Sequence, residues 1–138
     1  MSHSPALEAA YRATTYRVEL PGQTLALRVG QAEPRLDAWL RQEGKACWAI
    51  ITAWNPESRP LGLTENSRRQ EKLRQMLLDW GYRFFPAENR SDSGVWPLEP
   101  SFFVLGIPRE KALELAGGWA QNAILWGGIA KIPQLLWI

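Results

Sequence analysis

The feature that most constrains the fold is a continuously apolar segment, residues 46–54 (ACWAIITAW). It is rich in isoleucine and tryptophan, and it lacks the polar alternation of a strand that has one solvated face. Pro56 and Pro60 follow it, and proline cannot continue a central strand because it lacks an N–H donor. The segment therefore predicts a central strand that is covered on both faces.

A helix is expected after this strand. Thr64 is the predicted N-cap and Gly81 the predicted end. Asn66 lies on the apolar face, so an amide is expected on the buried side of the first turn. That face is defined by four residues at the spacing i, i+3, i+4, i+7: Leu73, Met76, Leu77 and Trp80.

The remaining core elements follow in a definite order. Strands are predicted at residues 82–85, 101–107 and 122–126, and a helix at residues 108–119. From residue 46 onward the order is strand, helix, strand, strand, helix, strand. This order predicts an α+β fold with a ferredoxin-like core of two split βαβ units.

Further elements precede this core and are expected to decorate it. They are a helix at residues 6–13, a β-hairpin of strands 14–20 and 24–29, and a short helix at residues 33–42. A length of 138 residues is usual for one domain, so residues 1–138 are read as a single domain, with residues 1–45 added to a core of residues 46–138. The apolar residues 135–138 need cover from their own sheet or from a second subunit.

The charge balance gives no sign of a nucleic-acid or membrane partner. Sixteen basic and 14 acidic residues are interspersed, and the formal net charge is +2. No apolar run approaches the roughly 20 residues that span a bilayer, and the start of the chain does not resemble a signal peptide. A single cysteine, Cys47, fits a reducing compartment, so we expect a soluble cytoplasmic protein.

Several chemistries lack the residues that they need. His3 is the only histidine, so neither a Ser-His triad nor a Cys/His zinc site is expected. Cys47 lies in the apolar strand and is predicted to be a buried, unreactive thiol. Glu88, Asp92 and Glu99 could share a divalent cation, but three acids around a flexible loop are a weak signal. We therefore predict no metal and no cofactor.

The predicted topology gathers polar residues at the end of the sheet where the first core strand finishes. The long helix starts there, strand 82–85 ends there, and strands 101–107 and 122–126 begin there. The two longest connections, residues 55–63 and 86–100, lie at the same end, and loops of this length are usually functional or disordered. Seven residues are expected in this neighbourhood: Trp54, Asn55, Asn66, Glu99, Ser101, Gln121 and Asn122.

Glu99 is the candidate catalytic residue, because a carboxylate between Leu98 and Pro100 at a strand entrance can be partly buried and have a raised pKa. It would act as a general acid or base. The alternative is a structural acceptor that caps the long helix or holds the indole of Trp54. The other predicted residues could orient a small ligand or could brace the loops: Trp54, Asn55, Asn66, Ser101, Gln121 and Asn122.

Four short strings carry a family resemblance: TAWNP (52–56), ENSR (65–68), EPSF (99–102) and QNA (121–123). Together with Tyr11 and the sequence Thr14-Thr15-Tyr16, they resemble domain-of-unknown-function family 3293, a small bacterial family, over nearly the whole chain. The family has no established activity, so the resemblance implies no mechanism. It does mark the residues that the topology places at one end.

Two functions fit these observations. The first is a small-molecule-binding or catalytic domain whose ligand could be nucleotide-like. The second is an interaction module that dimerises, or binds protein or nucleic acid, through some of its eight tryptophans, since interface cores favour aromatic anchors. The convergence of polar residues favours the first function slightly. No reaction type is indicated, because the polar end carries amides and indoles rather than a nucleophile and base.

Overall fold

The computed structural model describes residues 4–138, so His3 lies outside the described residues. The helices are α1 (Pro5–Arg12), α2 (Pro34–Glu43), α3 (Leu63–Asp79) and α4 (Arg109–Gly118). The strands are β1 (Thr14–Leu20), β2 (Gln23–Leu27), β3 (Cys47–Ile51), β4 (Phe84–Ser91), β5 (Glu99–Leu105), β6 (Ala123–Gly128) and β7 (Gln134–Trp137). Within this described part, each helix is too short or too polar to cross a membrane.

The strands form one antiparallel sheet in the order β2-β1-β4-β5-β3-β6-β7. The predicted mixture of helices and strands is confirmed, but the sheet is larger than the predicted four strands. The β1–β2 hairpin is not a separate decoration, because β1 pairs with β4, with Thr14 opposite Ser91 and Val18 opposite Ala87. At the other edge β7 pairs with β6, so the apolar C-terminal segment is covered by its own sheet.

Both faces of β3 are buried, which confirms the prediction from its apolar sequence. Trp48 and Ile50 face a core that they share with β1, β2 and α2, where Trp48 stacks on Phe103 with 5.4 Å between ring centroids. Ala49 and Ile51 face a second core that contains α3 and α4. The strand alternation therefore places α2 on one side of the sheet and α3 with α4 on the other.

The sheet curls, and two glycines mark close approaches within it. Gly30 N–H donates to Pro133 O at 2.9 Å, which joins the segment after β2 to the segment before β7. Gly127 lies against Trp48, and a Cβ at this position would be 2.6 Å from the indole ring. A larger residue at Gly127 would therefore displace the tryptophan from the curled interior.

The predicted loop at residues 86–100 is wrong, because most of it is strand. β4 continues to Ser91 and β5 begins at Glu99, which leaves residues 92–98 as the connection. The polar sequence after Pro86 conceals this strand, whose backbone pairs with both β1 and β5. Asn89 consequently lies opposite Tyr16 on one side and Glu99 on the other. The other predicted elements occur with shifted ends.

The long helix differs from its prediction at both ends. Gly62 is the N-cap, and Thr64 lies inside the first turn. Trp80 is the C-cap and is 40% exposed, with the Lys111 ammonium 4.6 Å from its ring centroid. The buried face runs instead toward the helix start, through Leu77, Leu73, Gln70 and Asn66. The polar residues of this face, Asn66 and Gln70, lie beside the end of β3.

Replacing Leu77 with alanine should destabilise the fold, because its side chain is fully buried against the second core. We expect Leu77→Ala to lower the free energy of unfolding by about 2 to 5 kcal/mol in urea denaturation. Leu78→Ala is the matched control: Leu78 is 48% exposed, and its loss should change stability by no more than about 0.5 kcal/mol. Equal losses at the two positions would contradict the register of α3.

Candidate functional site

Asn55 and Asn66 form a reciprocal amide pair between the end of β3 and the start of α3. Asn55 N–H donates to Asn66 Oδ1 at 2.9 Å, and Asn66 Nδ2 donates to Asn55 Oδ1 at 2.7 Å. Leu61 completes the link, because its carbonyl accepts from Asn66 Nδ2 and its N–H donates to Asn55 Oδ1. Asn55 has φ +46°, a left-handed conformation that asparagine adopts more readily than most residues. The connection after β3 is therefore held against the first turn of α3.

Glu99 is joined to this pair through Asn55. Asn55 Nδ2 donates to Glu99 Oε2 at 3.0 Å. The neighbouring carbonyl of Pro100 accepts from Thr52 Oγ1 at 2.8 Å and from Gln70 Nε2 at 3.3 Å. These bonds hold the first residues of β5 against β3 and α3, so the position of the carboxylate is set from both sides.

Gln121 and Asn122 tie the same connection to the start of β6. Gln121 Nε2 donates to Trp54 O and to Trp119 O, both at 3.3 Å. Asn122 Nδ2 donates to Ser58 Oγ at 2.9 Å. Gln121 is buried and its amide group is used by backbone carbonyls, which is the pattern of a brace.

Ser101 and Asn89 form a third link, between β5 and β4. Ser101 is buried, and its hydroxyl donates to Asn89 Oδ1 at 2.7 Å. Asn89 lies opposite Glu99 in the strand register. The hydroxyl of Ser101 therefore fixes Asn89 rather than facing a base that could activate it as a nucleophile.

A cleft of about 170 Å³ opens beside Glu99, bounded by α1, β1, β4 and the connections after β3 and β4. A smaller cavity of about 40 Å³ shares Tyr11, Tyr16 and Glu99 with it. Of the seven predicted residues, Asn55 and Glu99 line both spaces and Gln121 lines the smaller one. The other four line neither space. Trp54 takes part through its backbone N–H and carbonyl, and the side chains of Asn66, Ser101 and Asn122 bond to neighbouring segments.

Glu99 is a carboxylate with little compensation for its burial. Burial raises the pKa of Glu99, and the hydrogen bond from Asn55 lowers it only in part. Among residues 4–138, Oε1 of Glu99 has no hydrogen-bond partner, since the bond from Asn55 goes to Oε2. The carboxylate is thus oriented by one bond and keeps a free acceptor at the cleft.

Two tyrosines stand next to this carboxylate. Tyr16 is 3% exposed, and within the described chain its hydroxyl makes no hydrogen bond. Burial raises the pKa of Tyr16, and Tyr11 and the Glu99 charge add to the rise. Burial also raises the pKa of Tyr11; a hydrogen bond with Ser58 opposes that rise, while the Glu99 charge adds to it. Both phenols therefore stay neutral at physiological pH beside the carboxylate.

The sequence prediction missed several residues of the site. Tyr11, Tyr16 and Asn89 line the cleft, and Arg69 donates to Ala53 O at 2.7 Å and to Trp119 O at 2.6 Å as a further brace. The tyrosines were present in the resembling strings, but only the pairing of β1 with β4 brings them to Glu99. The apolar alternation of β1 was the available signal, because it places Tyr16 on the inner face with Val18.

Two side chains considered for thiol or metal chemistry, Cys47 and Asp92, are engaged in other contacts. Cys47 is partly buried, its thiol donates to Ile107 O at 3.1 Å, and burial raises its pKa, as expected of an unreactive thiol. Asp92 is engaged by Arg28 at 2.7 Å. In residues 4–138, no three side chains of His, Cys, Asp or Glu come close enough together to hold a metal ion.

Removing the Asn66 amide should destabilise the chain, because the Asn55 N–H and the Leu61 carbonyl would lose their partner. We expect Asn66→Ala to lower the free energy of unfolding by about 1 to 3 kcal/mol in urea denaturation. Asn122→Ala is the control, because the Asn122 side-chain amide bonds only to the exposed Ser58 side chain. We expect Asn122→Ala to lower the free energy of unfolding by about 1 kcal/mol or less. A smaller loss at Asn66 than at Asn122 would show that Asn66 is not a brace.

Neutralising Glu99 should stabilise the folded chain at neutral pH. The unfolded chain ionises Glu99 near the usual pKa of about 4.3, whereas the folded chain keeps the proton to a higher pH. Ionising Glu99 above that range costs the folded state free energy, and below both pKa values the cost is absent. We therefore expect Glu99→Gln to raise the unfolding temperature near pH 7, with the gain disappearing below about pH 4.

Calorimetry across this pH range measures the effect. Glu88→Gln is the matched control for losing one carboxylate, because Glu88 alternates with Asn89 along β4 and faces away from the cleft. If Glu99→Gln unfolds at a lower temperature than the native chain at neutral pH, the environment assigned to Glu99 is contradicted.

Comparisons with known proteins add a family and no activity. No curated protein and no solved structure matches the chain. The model of the family described as "Protein of unknown function (DUF3293)" matches residues 51–124, which is more than half of the chain. The matched segment contains Asn55, Asn66, Glu99 and Gln121. The chain therefore belongs to the DUF3293 family.

Proposed function

We propose that this chain is a small-molecule-binding domain, with Glu99 as the polar anchor of its ligand. One observation carries the proposal: Oε1 of the half-buried Glu99 and the hydroxyl of Tyr16, neither bonded within the described residues, belong to side chains that line the same cleft. No fully buried side-chain N or O atom of the described residues lacks a partner, so these two atoms are accessible from the cleft. A ligand in the cleft would therefore meet an oriented acceptor and a phenol hydroxyl.

The composition of the walls supports the same function. Leu7, Tyr11 and Trp96 supply apolar surface, while Asn55 and Asn89 supply oriented amides. A few convergent polar groups in a mainly apolar concavity are typical of sites for small organic molecules. The braces around the connection after β3 keep that arrangement in place without a ligand.

Glu99 is also the residue that could carry out chemistry on a bound molecule. Burial raises the pKa of Glu99, which strengthens the carboxylate as a proton acceptor, so Glu99 would be the general acid or base. Asn55 would orient it, and Gln121 would contribute to the polar wall of the smaller cavity. Three of the remaining predicted residues, Asn66, Ser101 and Asn122, would act indirectly by holding the segments around the cleft, and Trp54 would contribute its backbone groups.

The alternative function, an interaction module that dimerises, has weaker support. It was motivated by the number of tryptophans and by the apolar C-terminus, and the C-terminal segment is paired with β6 as β7. Trp80 and Trp96 remain partly exposed, but Trp96 also lines the cleft and Trp80 is covered by Lys111. No charge pattern favours nucleic acid, given the net charge of +2.

The proposal includes a ferredoxin-like arrangement of the central strands and helices. The neighbours β4-β5-β3-β6 are antiparallel throughout, and α3 and α4 connect β3 to β4 and β5 to β6. This order supports a ferredoxin-like core of two split βαβ units, enlarged by β1, β2 and β7. The candidate site would then lie where the added hairpin meets the core.

Filling the cleft tests the proposed function without changing its charge. Ala10 lines the cleft from α1, so the ring of Ala10→Phe should occupy it. We expect a library of neutral, cationic and anionic fragments, screened by ligand-observed NMR, to contain binders whose affinity falls by about tenfold or more in Ala10→Phe. Ala9→Phe is the control, because the adjacent Ala9 is exposed and lies outside the cleft.

Two results would refute the proposed function. One is a full screen without a binder to the native chain. The other is a set of binders that Ala10→Phe and Ala9→Phe affect equally, since binding would then lie elsewhere on the surface.

A further inference from the structure

We propose that the ligand of this cleft is a small organic cation, whose N–H group donates to Oε1 of Glu99 and whose carbon skeleton packs against Tyr11, Tyr16 and Trp96. This inference rests on the proposed function and specifies its ligand class. An amine, an amidine or a guanidine group would satisfy it, each presenting N–H donors on a positive charge.

The charge of the lining is the first argument. Among the described residues that line the cleft or the smaller cavity, Glu99 is the only acidic one, and none is Lys, Arg or His. The nearby cations are used elsewhere: Arg28 pairs with Asp92, Arg12 with Glu8, and Arg69 with two carbonyls. A phosphate or carboxylate in the cleft would be repelled by the Glu99 carboxylate, and no basic residue of the lining would offset that repulsion. A cation would instead supply the positive partner that the carboxylate lacks.

The hydrogen-bonding groups give the second argument. Oε1 of Glu99 is a free acceptor, and the hydroxyl of Tyr16 opens into the same space with no partner among residues 4–138. Oδ1 of Asn89 is already occupied by Ser101, so the acceptor strength of the site is concentrated on Glu99. A ligand donor at this point makes a charge-assisted bond, which is stronger than a neutral one.

The aromatic walls give the third argument. Tyr11, Tyr16 and Trp96 line the cleft around the carboxylate. The face of an aromatic ring attracts a cation, and a neutral ligand of the same shape lacks this attraction. Carboxylate and rings therefore favour the same kind of ligand.

The size of the space limits the ligand further. About 170 Å³ is below the range of roughly 300 to 1,000 Å³ that is usual for drug-sized ligands, so the group bound inside is small. If the whole ligand were nucleotide-like, its phosphates would lie outside the cleft, because nothing in the lining neutralises them. A neutral base with N–H donors is the nearest competitor, and the experiment separates it from a cation.

Matched pairs of probes test the charge requirement on the native chain. Benzamidine with benzamide, and benzylamine with benzyl alcohol, differ mainly in positive charge; guanine and inorganic phosphate represent the neutral base and the anion. By titration calorimetry near pH 7, we expect each cation to bind about tenfold to a hundredfold more tightly than its neutral partner. Phosphate should not compete with the cations.

Variants then assign the preference to Glu99. Glu99→Gln keeps the shape of the side chain and removes its charge, so it should abolish the preference for the cation, while Glu88→Gln, on the other face of β4, should retain it. Tyr16→Phe should weaken both members of a pair. Because the titratable groups facing Glu99 are Tyr11 from α1 and Tyr16 from β1, both neutral, cation affinity should rise with pH through the pKa of Glu99 and then level off.

Each contrary result has a distinct meaning. Equal affinity for cation and neutral partner, tighter binding of guanine, or a preference that survives Glu99→Gln would overturn the cationic ligand. If such binders were still blocked by Ala10→Phe, the proposed binding function would stand. A native chain that binds no probe and no library fragment would overturn both proposals.

Discussion

Burial of β3 on both faces is the constraint on which the other elements depend. Its alternating side chains, with Trp48 and Ile50 on one side and Ala49 and Ile51 on the other, must be covered twice. The helices α3 and α4 cover the second side. The first is covered largely by the sheet itself, which curls so that β1 and β2 approach it together with α2. This curl also carries α1 and β1 to the end of β3, and so creates the cleft beside Glu99.

The polar residues at that end divide into two kinds. Asn66 and Gln121 are buried, and their amide groups bond to the connection after β3: Asn66 to Asn55 and Leu61, and Gln121 to the carbonyl of Trp54. Glu99 and Tyr16 each keep a polar atom that is unbonded within the described chain and faces the cleft. No fully buried side-chain N or O atom of the described residues lacks a partner, so these two atoms are accessible from the cleft. The braces hold in place the loops and strands that carry them.

The sequence predicted those parts of the fold that depend on local patterns. The apolar run of β3 and the spacing of Leu73 and Leu77 in α3 each carry their signal within one element. The strand character of β4 did not, because its polar residues make their pairs with β1, more than 70 positions away in the sequence. For the same reason Asn55 and Glu99 could be placed together from the order of the core elements, whereas Tyr11 and Tyr16 could not. Their contribution depends on a pairing between the hairpin and the core that no local pattern specifies.

The cleft is lined from two parts of the chain. Asn55, Trp96 and Glu99 lie inside the segment that matches the DUF3293 family, while Tyr11 and Tyr16 lie before it. Bonds within that segment fix the position of the Glu99 carboxylate, whereas α1 and β1 complete the wall around it. Under the proposed function, substitutions in α1 would change the shape of the cleft without removing the bonds that hold Glu99, because the two sets of interactions share few residues.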